Sequence, residues 1–127
     1  MDKEYVPYEQ SLELEQLGFD EYCMEACYYE WKNKGVTHIL LHTPDSYDSR
    51  DGVKAPLYQQ AFRWFREKHN IDISINTIYS KYNENTSKKY GGVIDNGSVF
   101  TNVGFYDTHE EAELACLKKL IEIVKNK

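Results

Sequence analysis

The chain is short of the features that would hand it a ready-made chemistry. It has three cysteines, Cys23, Cys27 and Cys116, too few for an even disulfide framework, so reduced thiols in a cytoplasmic protein are expected. No apolar run approaches the roughly 20 residues of a membrane span, and Met1-Asp2-Lys3-Glu4-Tyr5 lacks the apolar core of a secretory signal. A glycine-rich phosphate loop, a dinucleotide fingerprint and a Ser-His-Asp arrangement are all missing from the sequence. Basic residues are scarce early on. Residues 1–54 hold 12 acids and 5 bases, net −7, whereas 55–127 hold 9 acids and 10 bases, net +1. An acidic first half argues against a phosphate-binding surface there, because phosphate affinity comes mainly from lysine and arginine.

What is present is the composition of a globular domain: 127 residues, 41% hydrophobic and 28% charged, with a net charge of −6. That length suits one domain over 1–127, with a core that needs no staples. The organising stretch is 55–68. Pro56 suits a first helical turn, and Tyr58, Ala61, Phe62 and Phe65 recur at helical spacing, widened by Leu57 and Trp64. So aromatic a helix needs a sheet to cover, and the alternating Ile71, Ile73 and Ile75 begin one.

The other elements follow from local signals. Residues 8–17 read as a first helix stopped by Gly18, with Phe19 folding back on its last turn. Residues 24–42 read as a β-hairpin turning at Asn33-Lys34-Gly35. That turn pairs Trp31 with Thr37, Tyr29 with Ile39 and Cys27 with Leu41, and sets Glu30 opposite His38. Residues 43–54 are rich in turn formers and read as one long loop. A strand over 71–82 slips its alternation between Ile75 and Ile78, suggesting a bulge or bend, and 83–88 reads as a flexible polar connection. Asn96-Gly97 marks a type I′ hairpin turn, and Gly91-Gly92 marks a bulge or a close backbone approach. Thr108 and Glu111 form a capping box opening a last helix striped by Leu114, Leu117, Leu120, Ile121 and Val124. The expected fold is a single α+β domain ordered α-β-β-α-β-β-β-α, its antiparallel sheet packed by the central and C-terminal helices.

Candidate chemistry is thin. Cys23, Cys27, His38 and His42 have the look of a zinc site. In the hairpin above, however, Cys27 faces away from His38 and His42, and the histidines lie on a strand, so these residues are not assigned to a metal and no cofactor is expected. The acidic loop at 45–52 lacks the alternate ligands and closing glutamate of a calcium loop. Cys116 lies beside an apolar stripe, which favours burial over reactivity. His109 begins a helix, whose dipole disfavours its charged form. Eleven tyrosines raise the prospect of a partner-binding patch near Tyr28, Tyr47 and Tyr82.

Three stretches carry a resemblance: Tyr8-Glu9-Gln10 leading to Leu17-Gly18-Phe19-Asp20-Glu21, Ala55-Pro56 with Gln60-Ala61-Phe62-Arg63-Trp64-Phe65-Arg66-Glu67-Lys68, and Glu110-Glu111-Ala112-Glu113 with Cys116-Leu117. Together they resemble a group of small uncharacterised proteins of gut bacteria and their phages and mobile elements, which implies an accessory role and transfers no site residue. Residues 55–125, read as α-β-β-β-α, also resemble the order of a double-stranded-RNA-binding domain. The family's phosphate-gripping lysines are replaced here by the acidic Thr108-His109-Glu110-Glu111-Ala112-Glu113, which argues against RNA binding by that surface. The expected function is a non-enzymatic, cytoplasmic interaction module, monomeric or weakly self-associating, with a protein partner and no membrane. The second reading is nucleic-acid binding through Arg63, Arg66, Lys81, Lys88 and Lys89. A zinc protein or small enzyme is the third.

Overall fold

A computed structural model describes residues 5–19, 26–31, 36–41, 52–82 and 84–127, with 26–31, 36–41, 52–54 and Tyr82 described by their backbone alone. The protein is α+β, in the order α1 (Tyr8–Gln16), β1 (Ala26–Trp31), β2 (Val36–Leu41), β3 (Gly52–Lys54), α2 (Tyr58–His69), β4 (Asp72–Tyr82), β5 (Asn85–Asp95), β6 (Phe100–Tyr106) and α3 (His109–Lys125). The strands form two three-stranded antiparallel sheets, ordered β2-β1-β3 and β4-β5-β6. Backbone contacts divide the chain into compact units at residues 1–61 and 62–127, and the division falls inside α2.

In the first unit, α1 ends in a Schellman motif. Gly18 takes φ +98°, a left-handed value that a Cβ would disfavour. The Phe19 N–H then donates to the Leu14 carbonyl and the Gly18 N–H to that of Glu15. Phe19 and Leu14 are both buried, so the reversal also closes an apolar contact surface. Before the helix, Val6 is pinned by its N–H to the Pro56 carbonyl at 2.8 Å. The buried Ser11 hydroxyl donates to the Val6 carbonyl at 3.1 Å, satisfying a group that would be costly to leave unpaired. Pro56 itself lies before α2 rather than in its first turn. Leu57 is the cap, and its N–H donates to Gln60 Oε1 at 2.9 Å, one half of a capping box.

The β1–β2 hairpin differs from the sequence expectation by one residue. Tyr29, not Glu30, stands opposite His38, and Glu30 stands opposite Thr37. Positions 27, 29 and 31 therefore share a face with 36, 38 and 40. The expected turn at Asn33-Lys34-Gly35 lies outside the described residues. Within the expected loop at 43–54, Gly52–Lys54 is a strand paired with β1, and the other positions of that loop lie outside the described residues.

The second unit is a three-stranded meander with α3 packed on it. Thr108 caps α3, its hydroxyl accepting from the Glu111 N–H at 3.1 Å. The helix buries Ala112, Cys116, Leu117, Leu120 and Ile121. Ile71 and Ile94 are also buried in this unit, as are Trp64 and Phe65 of α2, whose rings meet edge to face at 5.0 Å. Full burial of such side chains contributes roughly 1.5–3 kcal/mol each.

Three local expectations are corrected here. β4 and β5 pair without interruption from Asp72↔Asp95 to Tyr82↔Asn85, so β4 carries no bulge. Of the supposed flexible segment at 83–88, Glu84 takes a left-handed conformation at φ +70° and 85–88 are already in β5, paired with β4, while Asn83 lies outside the described residues. The β5–β6 turn is not type I′, which needs positive φ at both central residues, because only Gly97 has it. Instead Asn96 Oδ1 accepts from the Ser98 and Val99 N–H groups.

The Gly91-Gly92 signal lands where expected, with the β5–β6 register shifting between Gly92 and Val93. A Cβ on Gly92 would stand 2.5 Å from Cys116 Sγ. Gly92→Ala should therefore destabilise the protein by about 1–3 kcal/mol through overpacking, and Cys116→Ala in the same chain should recover part of the loss. Urea denaturation of both single variants and the double variant checks this. Additive losses would mean that α3 does not seat on Gly92.

Candidate interaction surfaces of the β4–β5–β6 sheet

Alternation along the strands assigns each side chain of this sheet to a face. Gly92 points at Cys116 and so fixes the helix side, which holds Ile73, Ile75, Thr77, Tyr79 and Lys81 of β4, paired with Ile94, Gly92, Tyr90, Lys88 and Thr86 of β5. Gly91 fixes the opposite, open side. A Cβ there would stand 3.1 Å from Ile78 Cδ1 and 3.2 Å from the Phe105 ring, so those two side chains close over the bare glycine. Phe105 is nonetheless 65% exposed, Phe100 75%, Val99 57% and Ile78 36%. On this face Phe105 and Ile78 have Asn76 and Lys89 beside them, the latter paired with Asp107, while Phe100 stands opposite Asp95 with Val93 and Asn102 in the row between it and Phe105.

β5 pairs with β6 only from Tyr90 to Asp95. Beyond Tyr90, β4 and β5 run on as a two-stranded ribbon whose described side chains are all exposed. On the ribbon's helix-side face, Tyr79 stands opposite Lys88. Lys88 Nζ lies 5.9 Å from the Tyr79 ring centroid and 5.3 Å from that of Tyr90. A hydrogen bond with Tyr90 raises the Lys88 pKa, with smaller contributions from the Tyr79 and Tyr90 charges.

At the ribbon's root, Tyr90 packs edge to face on His109 at 5.7 Å, and His109 Nδ1 lies 3.3 Å from Glu113 Oε1. Burial pushes the Glu113 carboxyl up, opposed by His109. Burial also pushes the Cys116 thiol up to about 11, helped by the Glu113 charge. The thiol is thus a packing group held neutral, as its place beside the apolar stripe suggested.

The basic residues singled out in the sequence are not one surface. Lys81, Lys88 and Lys89 sit on the ribbon, but Lys89 is on the open side and tied to Asp107. Arg63 and Arg66 are on α2, where Arg66 lies 4.0 Å from Asp72. Of the tyrosine trio, Tyr28 is in β1 opposite Ile39 and Val53, and Tyr82 ends β4 in the other unit. Tyr47 lies outside the described residues, as do Cys23 and His42. The one-residue register change puts positions 27 and 38 on the same face, so the facing argument that separated Cys27 from His38 does not hold in this structure. Among the described residues, no group of three or more His, Cys, Asp or Glu could hold a metal ion, and no helix is long and apolar enough to cross a membrane.

Sequence reading missed Phe100, Phe105, Ile78 and Tyr79. For Ile78 the slipped alternation in β4 was the available signal, since it puts that residue on the open side. No protein-family model, curated protein or solved structure matches the chain.

The buried thiol has a measurable consequence. Below pH 9.0, the ordinary cysteine value here, both folded and unfolded chains keep the Cys116 proton. Between 9.0 and about 11 the unfolded chain loses it while the folded chain retains it, so stability falls as pH rises. Cys116→Ala should flatten that limb of the stability–pH curve even if it lowers the curve as a whole. Peptide mass spectrometry after iodoacetamide treatment should find Cys116 unmodified in native protein and modified in urea. Equal labelling in both would show the thiol to be accessible.

Proposed function

We propose that the protein is a non-enzymatic interaction module that binds a protein partner through the open face of the β4–β5–β6 sheet. One observation carries this reading: Phe105 and Ile78 close over Gly91 yet remain exposed, and Phe100 is exposed on the same face at the sheet's turn end. Exposed apolar side chains scattered singly are ordinary, but two that close together over a bare glycine, with polar groups beside them, suit a protein interface. Large aromatics are also the residues that most often dominate binding energy. The patch is built on strands, which hold it in one shape before a partner arrives. The module acts as a monomer or a weak self-associate in a cytoplasmic, accessory role.

Phe105→Glu and Phe100→Glu, singly and together, test the reading. Both side chains are largely exposed, so each change should alter stability by no more than about 1 kcal/mol. Affinity capture from cells that naturally make the protein, with quantitative proteomics, should show one partner retained by the wild-type chain. Loss should be about tenfold for either variant and complete for the pair, as for truncation of interface anchors. Identical capture by the wild-type and double-variant chains would overturn the assignment of this face.

A further inference from the structure

The ribbon that β4 and β5 form beyond β6 presents a second surface, on the face opposite the apolar patch. Its centre is Tyr79, 67% exposed although it is a large aromatic on a regular strand. Lys88 stands directly across from it, about 5 Å away between Cβ atoms. Lys81 is two residues further along the same strand, about 7 Å away, and Thr86 stands across from Lys81. No acidic residue occupies these positions. The ribbon's own acid, Glu84, is in the turn at its tip, and Glu113 is engaged with His109 at its root. In a chain of net charge −6 this is a local concentration of cations around a flat aromatic ring.

We propose that this face of the ribbon binds single-stranded nucleic acid, with a base stacked on Tyr79 and the flanking phosphates held by Lys81 and Lys88. A stacking ring between two cations suits an unpaired base on a charged backbone, because every base has a π-face and every linkage a negative charge. A duplex hides its bases and offers only phosphates. Two lysines on an acidic protein would hold it weakly, since duplex affinity scales with the number of phosphates neutralised. An acidic peptide would use the lysines but would have no need of the ring. The contacts are to base and phosphate, so RNA and DNA strands share the chemistry.

Fluorescence anisotropy of the full chain with labelled oligothymidylate and oligouridylate of about ten nucleotides, at about 50 mM salt, tests the proposal. Saturable binding is expected, weakening as salt rises, with the duplex of equal length bound less tightly. Tyr79→Leu should lose about tenfold in affinity, and Tyr79→Phe, which keeps the ring, should lose little. Lys88→Gln should reduce the slope of log K against log salt by about 0.7. A preference for the uridylate would identify RNA as the ligand, and a preference for the thymidylate would identify DNA. Absence of saturable binding would overturn the site, as would equal binding by Tyr79→Leu and wild type, or duplex binding as tight as single-strand binding. An acidic peptide that competes equally well against wild type and Tyr79→Leu would reassign the ribbon to a protein ligand. All the altered side chains are exposed, so unchanged melting temperatures confirm that the variants are folded.

Discussion

The second unit depends on how closely α3 approaches the sheet at Gly92. β6 ends at Tyr106 and Thr108 already caps the next helix, so the chain must turn straight back over the strands it has just left. Eight residues after the cap, about 12 Å along the helix axis, Cys116 lands on the one helix-side position of β5 with no side chain. Any other residue at 92 would hold the helix off and open the layer that Leu117, Leu120 and Ile94 fill. The small thiol and the missing Cβ are complementary halves of one contact. The raised pKa of Cys116 is its electrostatic by-product, since a group packed this tightly has no room for solvent to stabilise a thiolate.

The adjacent glycine extends that constraint to the other side of the sheet. Successive residues of a strand face opposite ways, so a Gly-Gly pair strips both faces at one point. On the helix side the gap is taken by Cys116. On the open side it is taken by Phe105 and Ile78, which lean over Gly91 from the two neighbouring strands. Helix seat and apolar patch are thus two faces of one backbone feature, and the register shift at Gly92/Val93 lies at the same place. Strand length does the rest. β4 and β5 each run eleven residues against seven for β6, and α3 begins level with Tyr90. Past that point the helix-side positions change from Ile73 and Ile75 to Thr77, Tyr79 and Lys81. A bare ribbon of apolar side chains would invite edge pairing with other chains. Lysines and threonines along it discourage that while leaving one ring exposed.

How much of this was legible depended on whether the signal was local. The Schellman ending at Gly18-Phe19, the Thr108 cap, the stripe of α3 and the bulge at Gly91-Gly92 all rest on residues within one turn or one strand, and the structure shows each of them; what comes close at the glycines is side chains and not another backbone. Turn geometry was harder. Asn96-Gly97 suggested a type I′ turn, but the Asn96 side chain bonds the backbone ahead of it and a longer connection results. β3 is three residues long with a single β-branched member, Val53, too short for any alternation to register. The exposed aromatics were illegible for another reason. Strand periodicity says which residues share a face, but only the end of β6 and the start of α3 say where that face stops being covered.

The β1–β2 hairpin shows why register was the least legible quantity. With Tyr29 opposite His38, one face carries positions 27, 29, 31, 36, 38 and 40, and the other carries 26, 28, 30, 37, 39 and 41. The first set reads Cys, Tyr, Trp, Val, His, Leu and the second Ala, Tyr, Glu, Thr, Ile, Leu. Each mixes aromatic, aliphatic and polar residues. Sliding β2 by one position exchanges its contributions to the two faces without making either face clearly more apolar. Hydrophobic patterning, which fixes register where one face is plainly the buried one, therefore has little leverage here. The decision passes to the connection between the strands, where a change of one residue shifts every pair in the hairpin. One of those shifts bears on chemistry. It brings positions 27 and 38 to the same face, so whether the two share a face is set by the pairing register rather than by the composition of the strands that carry them.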